Sequence, residues 1–271
     1  MKRLLCLLAL IASPAFAQTN PNSVLPDAPC HGRDDPCQLD GREYHVKEPD
    51  GWDGVSPLPV LLHFHGWART GAVPVYHGRI SGATRRRGVL LVAPTGLNKT
   101  WNFRQNGSYD VEFANAVMAD LADRYPIDEI RIYISGYSYG ALMAWRYACD
   151  SGDSVAAMLS ISAAYNSLSC DQAPTQVRSV YGLRDNVLDF PMGPDGDVTE
   201  PVRLWREMFD CAEPDPLTEW QATDVRVFTR YHWDCGARGV TLDLHPGGHL
   251  IPRGWIARQL DELLGLPNSY P

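Results

Sequence analysis

Residues 129–149 read EIRIYISGYSYGALMAWRYAC. An apolar, β-branched run, Ile130, Ile132, Tyr133 and Ile134, enters the segment Gly136-Tyr137-Ser138-Tyr139-Gly140. A helix-forming run, Ala141-Leu142-Met143-Ala144-Trp145, leaves it. A serine with glycine two residues away on each side, between a strand and a helix, reads as a nucleophile elbow. The turn is sharp and the serine backbone strained, so bulk cannot approach it from either side. The hydroxyl is thereby lifted off the sheet, at the positive end of the following helix. Ser138 is the candidate nucleophile.

Working outward, short apolar runs recur on both sides of the elbow. Residues 60–64, 89–93, 155–161 and 176–181 each read as a buried strand. Between them, Asp110 to Arg124 places Phe113, Val117 and Leu121 on one helical face, and a further helix is expected between the first two strands. Arg42 to Glu48 alternates as a strand, as do 225–231 and 240–244 near the end. Glu213 to Thr218 reads as a Pro-punctuated connection, Val198 to Cys211 as a helix and Trp255 to Leu264 as a closing helix. Strands alternating with helices imply an α/β fold, a mostly parallel sheet with helices on both faces. At 271 residues, 45% hydrophobic, the chain suits one large core, and we expect a single catalytic domain over 41–271.

The first seventeen residues have the form of a secretory signal peptide: Lys2-Arg3, an apolar run from Leu4 to Ile11, then Ala15-Phe16-Ala17. That run is too short to span a bilayer, and no later stretch is apolar enough. The expectation is an exported protein, secreted or periplasmic, with an irregular arm over 18–40. Setting Cys6 aside leaves six cysteines, an even number for an oxidising compartment. Their order along the chain suggests Cys30–Cys37, Cys149–Cys170 and Cys211–Cys235. No Cys pair has zinc-site spacing, so we expect no metal and no cofactor. A net charge of −8 without a Lys/Arg block argues against a nucleic-acid partner, and Arg85-Arg86-Arg87 reads as a solvated helix end.

A serine nucleophile needs an imidazole, itself oriented by a carboxylate. In the elbow arrangement these follow in the order Ser, acid, His. Three histidines follow Ser138: His232, His245 and His249. His249 is favoured because it sits in a Gly-Gly-His turn between the last strand and the last helix. Asp185 is favoured as the acid because it follows the strand at 176–181; Asp171, Asp189, Asp195 and Asp197 are the alternatives. Loops at the carboxyl ends of parallel strands share one edge, so these residues can meet. The oxyanion needs two donors, for which the amides of Tyr139 and Trp67 are the candidates, Gly66 letting the loop come close. Trp67 and Trp101 are candidates for lining a substrate pocket.

Together LHFHGW, APTGLNKTWN, the elbow stretch, VYGLRDNVLDF and PGGHLIPRGW resemble the secreted polyhydroxybutyrate depolymerases and feruloyl esterases of the α/β-hydrolase fold, from about residue 40 onward. The resemblance implies a serine carboxylester hydrolase working through an acyl-enzyme, with Asp185 in the family's acid turn and His249 in its Gly-Gly-His-x-x-Pro. It also matches cysteines to Cys149, Cys170, Cys211 and Cys235. The chain departs from the family pattern at Tyr139, Ala141 and Leu183. With no separate substrate-binding domain visible, we expect small or soluble esters as substrates and a monomer. The alternatives are a serine peptidase or acyltransferase of the same fold, or an exported binding protein on a hydrolase scaffold.

Overall fold

Strand β3 (Leu58–Phe64) is buried along its whole length, and its side chains divide by parity. Val60, Leu62 and Phe64 join one apolar cluster, and Leu61 joins another. β4 (Leu90–Pro94) divides likewise, Leu90 and Val92 against Leu91 and Ala93. A two-residue period with both phases apolar requires a covered layer on each face. In the computed structural model, which describes residues 30, 34–223 and 226–269, the helices supply both layers.

Before β3 the chain forms β1 (Cys37–Leu39) and β2 (Arg42–Lys47). After it come α1 (Ala72–Tyr76) and α2 (Ser81–Arg85), β4, α3 (Tyr109–Arg124), β5 (Ile127–Tyr137) and α4 (Tyr139–Ser151). Then follow β6 (Ala157–Ile161), β7 (Gln176–Gly182), α5 (Arg203–Met208), β8 (Thr218–Thr223), β9 (Arg226–Cys235), β10 (Arg238–His245) and α6 (Trp255–Leu264). The ten strands make one sheet in the order β1-β2-β4-β3-β5-β6-β7-β10-β9-β8. Its middle, from β4 to β10, is parallel, and both edges are antiparallel. α3, α4 and α5 bury Leu121, Trp145 and Trp205 on one face. α1, α2 and α6 bury Val75, Ala83 and Trp255 on the other. This is the expected α/β arrangement.

The helix ends follow local chemistry. Ser108 caps α3, its hydroxyl accepting from the Val111 amide, with Asp110 and Glu112 in the first turn and Arg124 in the last. α6 stops at Gly265, whose φ of +65° lets the backbone turn back.

Several expectations need correction. The arm over 18–40 is not irregular at its end: β1 pairs with β2 through Asp40-Gly41, both at positive φ. An Asp-Gly pair is the residue choice for a two-residue hairpin, so that signal was in the sequence. β8 includes Thr218, the end of the expected connection, and runs on into a polar stretch that escapes a search for apolar runs. The helix expected over 198–211 is α-helical only at Arg203–Met208, with a 3₁₀ turn over Glu200–Val202 where Pro201 lacks an amide hydrogen. Arg87 is no solvated helix end: its Nε lies 2.5 Å from Asp261, and both side chains are nearly buried. The signal peptide, most of the arm and Val225 fall outside the described residues. The three disulfides join the cysteines in the expected pairs.

Candidate active site

Ser138 sits between β5 and α4 with φ +58° and ψ −123°, a conformation costly for a residue with a Cβ. Three hydrogen bonds hold it there. Its amide donates to Ile161 O (3.0 Å), and its carbonyl accepts from Ala141 and Leu142. Gly140 is needed for a separate reason: a Cβ there would lie 2.0 Å from Phe64 O and 2.6 Å from His65 O. The elbow is therefore pressed directly against the loop that follows β3.

That loop is fixed by a neutral histidine. His65 Nε2 accepts from the Gly96 amide (3.0 Å), so Nδ1 carries the proton and donates to Gly66 O (2.8 Å). Burial pulls the His65 pKa down to about 4, which keeps the ring in this one form at neutral pH. Trp101 Nε1 donates to His65 O from below (2.8 Å). The amides of Trp67 and Tyr139 have no acceptor among the described residues.

At the carboxyl ends of β7 and β10 the structure brings Asp185 and His249 together. His249 Nδ1 lies 2.7 Å from Asp185 Oδ2, and the carboxylate is fully buried. Asp185 Oδ1 accepts from the Val187 and Leu188 amides, so the carboxylate cannot rotate freely. The two loops are stitched by Leu183 N to His245 O and Arg184 N to Gly247 O. A Cβ at Gly182 would lie 2.4 Å from Gly247 O, so glycine sets how closely they approach. His249 Nε2 has no partner among the described residues.

Ser138, His249, Tyr139 and Trp67 all line one cleft of about 750 Å³. Val73, Pro74, Ile80 and Ile251 give it apolar walls. An imidazole anchored at Nδ1, beside a strained serine, can take a proton, and two undirected amides can stabilise a growing oxyanion.

The relatives point the same way. Feruloyl esterase C of Emericella nidulans is 31% identical over 170 residues, 60% of each chain. Feruloyl esterase D of Neurospora crassa is 28% identical over 204 residues, 69% of each chain. The acetyl xylan esterase of Aspergillus awamori superposes with a TM-score of 0.60 at 15% identity, over 90% of this chain and 97% of that one, a likeness of fold. The chain has the α/β-hydrolase fold and is similar in sequence to feruloyl esterases. It spans about 60% of the length of the feruloyl esterases C that it matches. No protein-family model matches the sequence.

Trp101 is not where the sequence put it. It is 4% exposed, packs edge-on against Phe64 and does not line the cleft. The rival bases are also elsewhere. His232 lies within β9 against Thr241, and His245 accepts the Gly247 amide at the end of β10. Asp171, Asp189 and Asp195 are exposed, and Asp197 accepts the Thr199 amide in its own turn. Sequence reasoning missed Tyr137. Its hydroxyl donates to His249 O (3.2 Å) and its ring lies 5.0 Å from the imidazole, bracing the histidine loop from the elbow itself. It also missed His63, a buried residue lining the same cleft with Nδ1 2.6 Å from Ser135 Oγ. Neither has a local signal, because each partner is distant in sequence. Among the described residues no group of three or more His, Cys, Asp or Glu is placed to hold a metal ion.

Proposed function

We propose that the protein is an exported serine carboxylester hydrolase that acts through an acyl-enzyme, with Ser138, His249 and Asp185 as its triad. The observation that carries this reading is the Asp185–His249 pair at 2.7 Å in the cleft that also holds the strained Ser138. Ser138 Oγ attacks the ester carbonyl as His249 Nε2 takes its proton. Asp185 keeps the proton on Nδ1 and stabilises the imidazolium that forms. The Trp67 and Tyr139 amides receive the oxyanion. His249 then protonates the departing alcohol, which leaves the acyl group on Ser138. Water, with its proton passing to the same Nε2, hydrolyses that ester and restores the enzyme.

The substrate class follows from the cleft and the relatives. Esters of a hydroxycinnamate or a short acid fit a mostly apolar cleft edged by Trp67, Tyr76 and Tyr139. The names feruloyl esterase and acetylxylan esterase among the relatives agree with that choice. Trp101 acts as a brace for the oxyanion loop. The three disulfides favour export, and no helix among the described residues is long and apolar enough to cross a membrane.

The test is hydrolysis of p-nitrophenyl acetate, butyrate and octanoate, and of methyl ferulate, by wild type and Ser138→Ala. A loss of kcat on the order of 10⁶-fold is expected. Equal rates in both proteins would remove Ser138 from the mechanism.

A further inference from the structure

Beside the catalytic cleft lies a second cavity of about 450 Å³, walled by Arg79, Arg86, Arg253 and His77, with Gly254 and Ala257 behind them. Among the described residues no carboxylate lines it. None of its three arginines has an ion-pair partner among the described residues. This is unusual in a chain of net charge −8. The two sequence neighbours of Arg86 are both satisfied, Arg85 by Asp50 and Arg87 by Asp261, while Arg86 is turned back over Gly82 beside the cavity. Guanidinium groups stay charged at every accessible pH, so three of them around one space without a counter-charge attract an anion. At about 30 Å³ per water the space would hold roughly fifteen waters, far more than one inorganic oxyanion occupies.

The two cavities share a wall. His77 lines both, and Arg79 Nη1 donates to the carbonyl of Ile251, which lines the catalytic cleft two residues beyond His249. Tyr76, next to His77, also lines the catalytic cleft and is 54% exposed. A molecule with its ester carbonyl at Ser138 can therefore extend over His77 and place a second group among the arginines. We infer that the Arg79–Arg86–Arg253 cavity is a subsite for a carboxylate carried by the ester substrate on an acidic sugar, so that the preferred substrates are esters of uronate-bearing carbohydrate. This rests on the catalytic reading above and adds the alcohol side of the substrate to it.

The test compares two feruloyl esters that differ at one carbon, those of methyl galactoside and of the methyl glycoside of galacturonic acid with its carboxylate free, acylated on the same hydroxyl. Wild type is expected to favour the galacturonate in kcat/KM by roughly tenfold at low salt, the scale of three partly solvated charge contacts, and through KM. High salt should shrink the preference. The double variant Arg86→Gln/Arg253→Gln should abolish it while leaving methyl ferulate hydrolysis unchanged. Arg79 is left intact because it supports the histidine loop. Equal kcat/KM for the two esters in wild type, or a preference that survives in the double variant, would overturn the inference. A calorimetric titration with digalacturonate separates it from the catalytic reading. If neither ester is cleaved, binding to wild type that the double variant lacks still supports the subsite, and absence of binding refutes it. Inorganic sulfate bound as tightly as digalacturonate would mark a site for free anions and also refute it.

Discussion

Two buried carboxylates belong to adjacent strands, one within β10 and one just beyond β7, and their surroundings differ. Asp243 on β10 is satisfied by a cation: Arg230 approaches both oxygens at 2.8 Å, and the indole N–H groups of Trp220 and Trp255 and the amide of Gln259 complete the shell. Burial works against the Arg230 charge, but the bonds and attraction from Asp243 and Glu262 outweigh it and lift its pKa above the usual value. Asp185, just beyond β7, meets no arginine or lysine among the described residues. Two backbone amides hold one oxygen, and the other faces His249. A carboxylate neutralised by arginine locks a fold. One held by neutral donors keeps its charge uncompensated, to orient an imidazole and stabilise it once it is protonated.

The sharpest way to break this contrast is a pair of isosteric substitutions. Asp185→Asn should lower kcat on p-nitrophenyl butyrate by about 10⁴-fold, because the amide favours the wrong imidazole tautomer. Its Tm should stay close to wild type. Asp243→Asn should do the reverse, costing about 3 kcal/mol of stability because Arg230 keeps only Glu262 as a charged partner. Its kcat at a temperature where it is folded should be near wild type. Matching effects on kcat and Tm in both variants would erase the distinction.

A smaller effect comes from the histidines that the site keeps neutral. Burial lowers the pKa of His63 to about 3 and of His65 and His245 to about 4, from 6.5. Their folded values lie below the unfolded one, so as pH falls below 6.5 the unfolded chain takes up protons that the folded one refuses. Their contribution is complete above pH 6.5 and is lost as pH falls toward 4. Each can contribute a slope of up to about 1.4 kcal/mol per pH unit. Tm should therefore already decline between pH 6.5 and about 5, above the ordinary carboxylate range. A flat Tm across that interval would contradict the buried neutral rings.

The smallest effect sharpens the place of Trp101. Trp101→Phe removes the N–H donated to His65 O but keeps the packing against Phe64. A loss of about 1 kcal/mol in stability is expected, with a few-fold fall in kcat and an unchanged KM for methyl ferulate. A rise in KM with kcat intact would return Trp101 to the substrate wall.

The elbow was legible because its signal is local: a strand, two glycines around a serine, and a helix lie within 129–149. The parallel core was legible for the same reason, since each strand carries its burial in its own composition, as β3 and β4 do. β8 was not, because its pairing with β9 at the sheet edge, rather than apolar content, makes it a strand. Asp185 and His249 could be ranked by the sheet-edge argument but not joined, since 64 residues separate them. Trp101 was misplaced because an indole in a loop reads the same whether it faces a cleft or supports a carbonyl.

The α/β order and the elbow are written in neighbouring residues, while chain order suggested a cysteine pairing that the three disulfides then made definite. Only the tertiary structure decided which carboxylate meets an imidazole and which meets an arginine, that Tyr137 braces the histidine loop, and that three arginines ring one cavity. Those facts depend on distances between residues far apart in the chain. Close packing of the sheet and its two helical layers sets such distances, and no local pattern encodes them.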